Sequence, residues 1–281
     1  MIQSFHSPST PAEAVGLIRE NPKARYLAGG TELNSMASPV QPDAVVSLNG
    51  LGLDKLTLSS EGIEIGAMVT LETLLKSAEK GEASELLAQA CSNVGNRNIR
   101  NMATVGGNIA ACKSCSDLIP PLLVLGARVE TMTCDGNIVT IDLEDFLAGP
   151  RTDLILRIIV PAPAGSFHAG LCRYTRTAND LALVSVCAGL EMEGTRCIGA
   201  TIALGGVAAK PLRVREIENA VIDRDMADNI DSICSLADQK IMESIIPITD
   251  HRGGADYKMT LARNLLREAL IHAALKGGVS R

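Results

Sequence analysis

The stretch YLAGGTELN, residues 26–34, places two adjacent glycines between a short apolar run and a hydroxyl and a carboxylate side chain. A second pair stands in TVGGNIA, residues 104–110, again beside a threonine. A glycine pair lets backbone amides converge on an anion, because no Cβ blocks the approach. The two stretches therefore predict two loops that could hold the two phosphates of a dinucleotide between them. The alternative is that each pair is only a tight turn.

The segments around these loops predict an α+β protein. Thr10 and Pro11 open a helix, and Thr70 and Ser84 are plausible caps for helices over 71–80 and 85–94. Segments in which apolar residues alternate predict strands, and apolar residues at helical spacing predict helices at the end of the chain. The predicted hairpins span 55–69, 127–141 and 181–207, a strand starts at 154, and helices cover 213–222, 226–240 and 256–276.

A Pro/Ala/Gly stretch at residues 161–166 predicts a domain boundary. We expect a first domain over 1–165, with lobes of about 1–54 and 55–165, and a second domain over 166–281. The 281 residues are enough for such a division, and 46% of them are hydrophobic, as in a globular protein.

Composition excludes several classes of function. The net charge of −6, with three Tyr, three Phe and no Trp, argues against a nucleic-acid-binding protein. The N-terminus lacks the basic start and apolar core of a secretory signal, and no apolar run approaches the ~20 residues of a membrane span. Eight cysteines, mostly isolated in apolar stretches, predict reduced thiols in a cytoplasmic protein.

Familiar catalytic motifs are missing from the sequence. It contains no P-loop, no GxGxxG after a strand and no HExxH, and its four histidines are scattered. We therefore predict no catalytic side chain and no metal site. CKSC, residues 112–115, is the one close cysteine pair, and no second pair completes a cluster. A structural role for this pair is favoured over a redox role, which stays open.

The motifs together resemble the FAD-binding medium subunit of the molybdenum hydroxylases, the family of xanthine dehydrogenase and carbon monoxide dehydrogenase. YLAGGTELN and NIRNMATVGGNIA are similar to its two flavin loops, and SDLIPPLLVLGARVE to the stretch that follows. DLALVSVCAGLEM, IGATIALGGVAAKPLRVREIE and RGGADYKMTLARNLLREAL are similar to its C-terminal domain. The resemblance covers essentially the whole chain in order. It implies a two-lobed FAD-binding domain of the PCMH type, followed by a domain of antiparallel sheet plus helices.

The resemblance also implies which residues bind FAD. The first loop wraps the pyrophosphate, the second contributes from the other side, and Asp117 bonds ribityl or ribose hydroxyls. Leu154 and Ile155 line the isoalloxazine, and Gly95 lies near the adenine. The implied loop residues are Leu27, Ala28, Gly29, Gly30, Thr31, Glu32 and Leu33 in the first loop and Thr104, Gly106, Gly107 and Asn108 in the second.

The implied function is electron transfer within a molybdenum-dependent hydroxylase. Molybdopterin is expected on a large partner subunit and 2Fe–2S clusters on a small one, with electrons passing through non-covalent FAD to NAD⁺ or another acceptor. Many relatives have a lysine near the flavin where this sequence has Cys172. The alternative function is a stand-alone FAD-dependent reductase of the same superfamily, which would need its own proton donor.

Overall fold

The protein is described by a computed structural model that covers residues 2–35, 41–79, 81–150 and 152–279. Within these ranges the strands are β1 (Ser4–His6), β2 (Arg25–Leu27), β3 (Ala44–Ser47), β4 (Leu56–Ser59), β5 (Gly62–Gly66), β6 (Arg128–Met132), β7 (Ile138–Asp142), β8 (Leu154–Pro161), β9 (Phe167–Tyr174), β10 (Val184–Glu193), β11 (Arg196–Gly205) and β12 (Leu212–Arg213). The helices are α1 (Pro11–Glu20), α2 (Leu71–Lys76), α3 (Glu82–Ser92), α4 (Arg97–Met102), α5 (Val105–Ala111), α6 (Ile119–Val124), α7 (Leu143–Ala148), α8 (Arg215–Val221), α9 (Met226–Ser244) and α10 (Ala255–Lys276).

The chain packs as two compact units, each assembled from separate segments. The first unit combines Met1–Ser77, Asn96–Ala111 and Gly126–Pro161. The second combines Ala78–Gly95, Cys112–Leu125 and Ala162–Arg281. The second unit thus includes α3 and α6, although both helices precede residue 165.

The first unit contains two sheets. A small parallel sheet has the strand order β1-β3-β2, and its core includes Ala14 and Val15 of α1 with Val46 of β3. The larger sheet has the order β4-β5-β8-β6-β7, and all its neighbouring strands are antiparallel. Its outer strand pairs β4–β5 and β6–β7 are the two hairpins that the alternating sequence predicts, and Gly136, with φ of 82°, lies in the second turn.

The second unit is built on an antiparallel sheet with the order β12-β11-β10-β9. The long helix α10 packs on β9 and β10, while α8 packs on β11. Leu261, Leu265, Leu266 and Ala269, which recur at helical spacing, lie in the core. The predicted α+β class is therefore confirmed, with a sheet-and-helix domain at the C-terminal end.

Three predicted helices differ by more than two residues from their observed bounds, and one of them is α9, which runs to Ser244 instead of ending at residue 240. Helix α2 begins after Thr70, whose side chain accepts a hydrogen bond from the Thr73 amide as expected, but it ends at Lys76. Ser84 does not cap a helix, because α3 already starts after Gly81, whose φ of 142° suits glycine. The Ser84 hydroxyl instead accepts a bond from the Glu79 amide. Lys80, the predicted helix end, lies outside the described residues.

The length and apolarity of the helices bear on membrane insertion. Over the described ranges, none of them is long and apolar enough to cross a bilayer.

Candidate functional site

The first glycine loop follows β2 and presents open backbone amides. The loop is half-buried from Ala28 to Leu33, and Gly30 has a φ of 70°, a conformation that glycine adopts without strain. Among the described residues, nothing accepts a hydrogen bond from a set of four amides in this loop. These amides belong to Gly29, Gly30, Thr31 and Leu33. A run of N–H groups without protein acceptors is suited to an anionic ligand.

In the second glycine loop, by contrast, four successive amides are already bonded. The Val105 amide donates to the Val69 carbonyl at 3.0 Å, and the Gly106 amide donates to the Ala67 carbonyl at 3.0 Å. The Gly107 amide donates to Thr104 Oγ1 at 3.1 Å, and the Asn108 amide donates to the Thr104 carbonyl at 2.9 Å. Thr104 therefore caps α5 with its side-chain oxygen, and its hydroxyl proton is left to donate.

The two loops contact each other inside the first unit. A Cβ built on Gly29 would lie 1.6 Å from the Met102 carbonyl oxygen, so the backbone of the first loop passes directly over the end of α4. A Cβ on Gly107 would lie 3.9 Å from the Cβ of Ala28. The structure thus brings together the two loops that the sequence singles out.

A cleft of about 370 Å³ opens where these loops meet. Ala28, Gly29, Met102 and Thr104 line one part of it. The sequence interpretation missed the rest of the lining, which consists of Leu48, Asn49, Gly50, Gly52, Leu53, Asp54, Met68, Thr70 and Asn101. The first six of these residues, Leu48 to Asp54, could have been predicted from the NGLG stretch after β3. Its Gly50 and Gly52 have φ of 83° and 71°.

A buried carboxylate holds α4 and so positions the second loop. Glu72, on α2, is 7% exposed, and its oxygens lie 3.0 Å from Arg100 Nε and 3.2 Å from Arg97 Nε. Lys76 Nζ is 3.6 Å away. The hydrogen bond from Arg100, together with the charges of these cations, lowers the pKa of Glu72 from its ordinary 4.5. The stretch NIRNMATVGGNIA, singled out from the sequence, contains Arg100, but the acidic partner of Arg100 on α2 was not predicted.

Two predicted ligands of FAD, Gly95 and Asp117, belong to the second unit. Gly95 follows α3 with a φ of 48°. Asp117 is 5% exposed, and its Oδ1 lies 3.5 Å from Arg173 Nε. Burial raises the pKa of Asp117 from 3.8 to about 7, although the charge of Arg173 opposes the change. Their contact with a cofactor stays a prediction.

The two apolar residues predicted to line the isoalloxazine start β8. Leu154 is 1% exposed and packs in the core cluster of the small parallel sheet, together with Leu156. Ile155 is 5% exposed. Both side chains are buried by protein atoms, and their role toward a flavin stays a prediction.

The CKSC turn has structural bonds to the C-terminal sheet. The Ser114 hydroxyl donates to the Ala208 carbonyl at 2.6 Å, and the Ser114 carbonyl accepts from the Gly206 amide at 2.6 Å. Cys112 and Cys115 are buried thiols, and burial raises the pKa of Cys115. In the part of the chain that the structure describes, no group of three or more His, Cys, Asp or Glu side chains could hold a metal ion.

The cleft in the first unit fits the diphosphate part of a dinucleotide. Four amides of the first loop lack protein acceptors among the described residues, and one of them belongs to Gly29, which lines the cleft. The neighbouring loop adds the Thr104 hydroxyl. The chemistry of the donor set therefore suits the pyrophosphate of FAD better than a metal ion, for which acceptor atoms would be needed.

Comparison with known proteins agrees with this geometry. Residues 1–163 match the family described as the FAD binding domain in molybdopterin dehydrogenase, and residues 171–273 match the CO dehydrogenase flavoprotein C-terminal domain. The glyceraldehyde dehydrogenase medium chain of Sulfolobus acidocaldarius is 30% identical over 271 residues, which cover 93% of this chain and 95% of the relative. The carbon monoxide dehydrogenase medium chain of Afipia carboxidovorans is 28% identical, with 96% of each chain covered.

A solved structure shares the fold. A chain of carbon monoxide dehydrogenase from Hydrogenophaga pseudoflava matches with a TM-score of 0.91 over 98% of both chains, at 24% identity. The family resemblance stated from the sequence is confirmed by the domain matches and by the relatives that span the whole chain. This chain therefore belongs to the FAD-binding medium subunits of the molybdenum hydroxylase family, which are components of multi-subunit oxidoreductases.

Proposed function

We propose that this chain holds FAD without a covalent bond and passes electrons from 2Fe–2S clusters on a partner subunit to an acceptor, with NAD⁺ as the first candidate. The single observation that carries the proposal is the row of open amides within residues 29–33, next to the second glycine loop. Oxyanions bind to such rows because each N–H supplies a partial positive charge. The diphosphate of FAD is an oxyanion of this kind.

The proposed cofactor contacts follow from what each part of the chain offers. The amides of the first loop hold the pyrophosphate, and the second loop adds the Thr104 hydroxyl and the Asn108 side chain. Asp117 accepts hydrogen bonds from ribityl or ribose hydroxyls, Gly95 lies near the adenine, and Leu154 and Ile155 support the isoalloxazine. The remaining proposed contacts are Leu27, Ala28, Gly29, Gly30, Thr31, Glu32, Leu33, Gly106 and Gly107.

The protein's own part in the reaction is binding, orientation and electrostatics. When bound, FAD supplies the two-electron chemistry that no side chain offers. Residues 29–33 fix the diphosphate, and the Glu72 cluster keeps α4, and with it Thr104, in place. No residue of this chain acts as acid or base on the hydroxylated substrate, whose site we assign to the partner that holds molybdopterin.

The proposed setting is a cytoplasmic complex with a large molybdopterin-binding subunit and a small 2Fe–2S subunit. The full-length likeness to medium chains of glyceraldehyde and carbon monoxide dehydrogenases supports this setting. Within the chain, we propose an FAD-binding domain over 1–165 and a C-terminal domain over 166–281. The matched ranges 1–163 and 171–273 support that division.

The first experiment measures flavin in the purified chain. We expect a yellow protein that releases all its colour into the supernatant after acid precipitation, since no histidine lies in either glycine loop. Colour retained in the pellet would contradict non-covalent binding. A colourless chain that takes up no added FAD would contradict the proposal as a whole.

The second experiment tests the division of labour. The FAD-loaded chain alone should reduce an artificial dye with NADH but should not hydroxylate heterocycles or aldehydes. Coexpression with the genes of the large and small subunits should yield one complex on gel filtration. Hydroxylation by the isolated chain would refute the electron-transfer function, and a lack of dye reduction with NADH would refute NAD⁺ as the acceptor.

A further inference from the structure

One guanidinium joins three separate segments of the second unit. Arg173, on β9, donates from Nη1 to the carbonyl of Asn93, the residue that follows α3, and from Nη2 to the Asp180 carbonyl at 2.8 Å. Its Nε faces Asp117 Oδ1 at 3.5 Å. The Arg173 side chain is only 12% exposed. Arg173 thus orders the residues before Gly95, the turn that carries Asp117 and the loop around Asp180.

The contact between Arg173 and Asp117 is an ion pair that is not closed by a hydrogen bond. Over the described residues, both Asp117 Oδ1 and Arg173 Nε are buried and lack a hydrogen-bond partner. Burying a carboxylate oxygen without a hydrogen-bond donor costs free energy of folding, and this cost is removed when another donor reaches the oxygen. The hydroxyl groups of the flavin's sugar chain are donors of the required type.

We propose that Arg173 is a positioning residue for the flavin, because it fixes and charges the carboxylate that accepts the cofactor's hydroxyl groups. This inference rests on the proposed function, in which Asp117 contacts FAD. Arg173 itself need not touch the cofactor. It acts by favouring the ionised form of Asp117 and by tying its turn to the segments on either side.

Charge is the means by which Arg173 acts. An ionised carboxylate accepts hydrogen bonds with both oxygens, whereas the protonated form gives up acceptor capacity. Burial already raises the pKa of Asp117 to about 7, and Arg173 is the cation that opposes this change. The other titratable groups at this turn include Cys115 and Lys113, both on it, and Arg252, which bonds Cys115. Without Arg173, Asp117 would stay protonated to a higher pH.

The test is the FAD dissociation constant of the apoprotein, measured by flavin fluorescence across about pH 6 to about pH 9. The variants are Arg173→Gln, Arg173→Lys, Asp117→Asn and the Arg173→Gln/Asp117→Asn double variant. Arg176→Gln is the matched control, because Arg176 is exposed and lies 3.8 Å from the Asp180 side chain in the same loop. Circular dichroism establishes that each variant is folded.

We expect the wild-type chain to bind FAD more weakly as pH falls, in a single step near neutral pH where Asp117 takes up a proton. Arg173→Gln should weaken binding about tenfold or more at neutral pH and move the step to higher pH, as expected when one member of a buried charge pair is removed. Arg173→Lys should restore part of the affinity. Asp117→Asn should abolish the step. The double variant should lose less binding free energy than the sum of the two single losses, because the two residues act through the same contact. Arg176→Gln should behave as wild type.

Three results would overturn the inference while leaving the proposed function intact. They are an unchanged dissociation constant in Arg173→Gln, an equal loss at every pH, and strictly additive effects of Arg173→Gln and Asp117→Asn. The last two describe a residue that supports the fold without charging Asp117. If Arg173→Gln does not fold, Arg173→Lys decides. Because lysine keeps the charge, the step should stay near neutral pH, and a step moved to higher pH would overturn the inference. A wild-type chain that binds no FAD would overturn both proposals together.

Discussion

The two glycine loops look alike in sequence but differ in what their amides do. In residues 29–33, four amides have no acceptor among the described residues, whereas in residues 105–108 four successive amides are bonded to protein oxygens. One glycine of each pair nevertheless has a similar role. Gly29 and Gly106 let backbones approach each other, with built Cβ atoms at 1.6 Å from Met102 O and 2.7 Å from Ala67 Cβ.

The difference shows that a glycine pair does not by itself identify a phosphate-binding backbone. In the first loop the amides of Gly29, Gly30, Thr31 and Leu33 have no acceptor among the described residues, although its backbone packs against the end of α4 at Gly29. The second loop is the start of a capped helix, and its glycines serve packing. We therefore expect amide contacts to the diphosphate from the first loop, and from the second loop the Thr104 hydroxyl and the Asn108 side chain, with Gly106 and Gly107 lying close to the cofactor.

The largest expected effect comes from Gly29→Ala, which breaks the junction between the loops. The added Cβ would overlap a backbone carbonyl, which cannot move as a side chain can. We expect a loss of more than about 3 kcal/mol in the free energy of unfolding, together with loss of FAD. Thermal and denaturant unfolding measure the first, and flavin content measures the second.

Gly16→Ala, on α1, is the matched control for that variant. A Cβ on Gly16 would meet nothing within 4 Å, and alanine favours a helix over glycine. It should be neutral or slightly stabilising with full flavin content. Equal behaviour of the Gly29 and Gly16 variants would show that the loops do not touch.

Gly106→Ala tests whether the second pair serves packing. Its Cβ would lie 2.7 Å from the Cβ and 2.8 Å from the carbonyl oxygen of Ala67. Overpacking of this kind costs about 1–3 kcal/mol in unfolding free energy. Denaturant unfolding of the apoprotein should show the cost even without FAD. A variant with wild-type stability that binds FAD poorly would instead make Gly106 a direct contact.

Thr104→Ala removes the cap of α5. The Gly107 amide would lose Thr104 Oγ1 as its acceptor, so we expect a loss of about 1 kcal/mol in unfolding free energy. Thr104→Ser keeps the oxygen and should recover most of that stability. FAD affinity should fall in the alanine variant and return in the serine variant. If serine recovers neither, the methyl group rather than the hydroxyl matters.

The smallest expected effect is that of Glu72→Gln, which keeps an acceptor for Arg100 but removes the charge. The folded pKa of Glu72 lies below its ordinary 4.5, so the ionised carboxylate stabilises the fold at neutral pH. That stabilisation is lost as pH falls through the folded pKa. Melting temperatures of wild type and variant should therefore differ at neutral pH and converge in acid. A difference that persists in acid would contradict the charge argument.

Local patterns in the sequence predicted much of the fold. The hairpins, β8, and the helices after residue 211 follow from periods of two or of 3.6 residues. Helix α7 and strand β9 were missed, because Leu143–Ala148 is short and Phe167–Tyr174 interrupts its apolar run with His168 and two small residues. Ser84 was wrongly predicted to cap a helix, because a serine hydroxyl can also accept a hydrogen bond from a loop amide, here that of Glu79.

Of the candidate site, only the residues that lie within recognised sequence motifs were predicted. Both glycine loops were found, but the bonding of the Val105 and Gly106 amides was not, because their acceptors at Val69 and Ala67 lie far away in sequence. The pairing of Glu72 with Arg100 and of Asp117 with Arg173 depends on tertiary packing in the same way. The part of the cleft lining that lies within residues 48–54 was not predicted, because the sequence indicated only that a lobe ends there.

The central claim is that the open amides of the first loop hold the cofactor. Hydrogen–deuterium exchange of the apoprotein and the FAD-loaded protein, resolved to the amides of residues 29–33 and 105–108, tests it directly. We predict strong protection on FAD binding at Gly29, Gly30, Thr31 and Leu33, with little change at residues 105–108, whose amides are bonded beforehand. Unchanged exchange in the first loop, with FAD bound in full, would contradict the account.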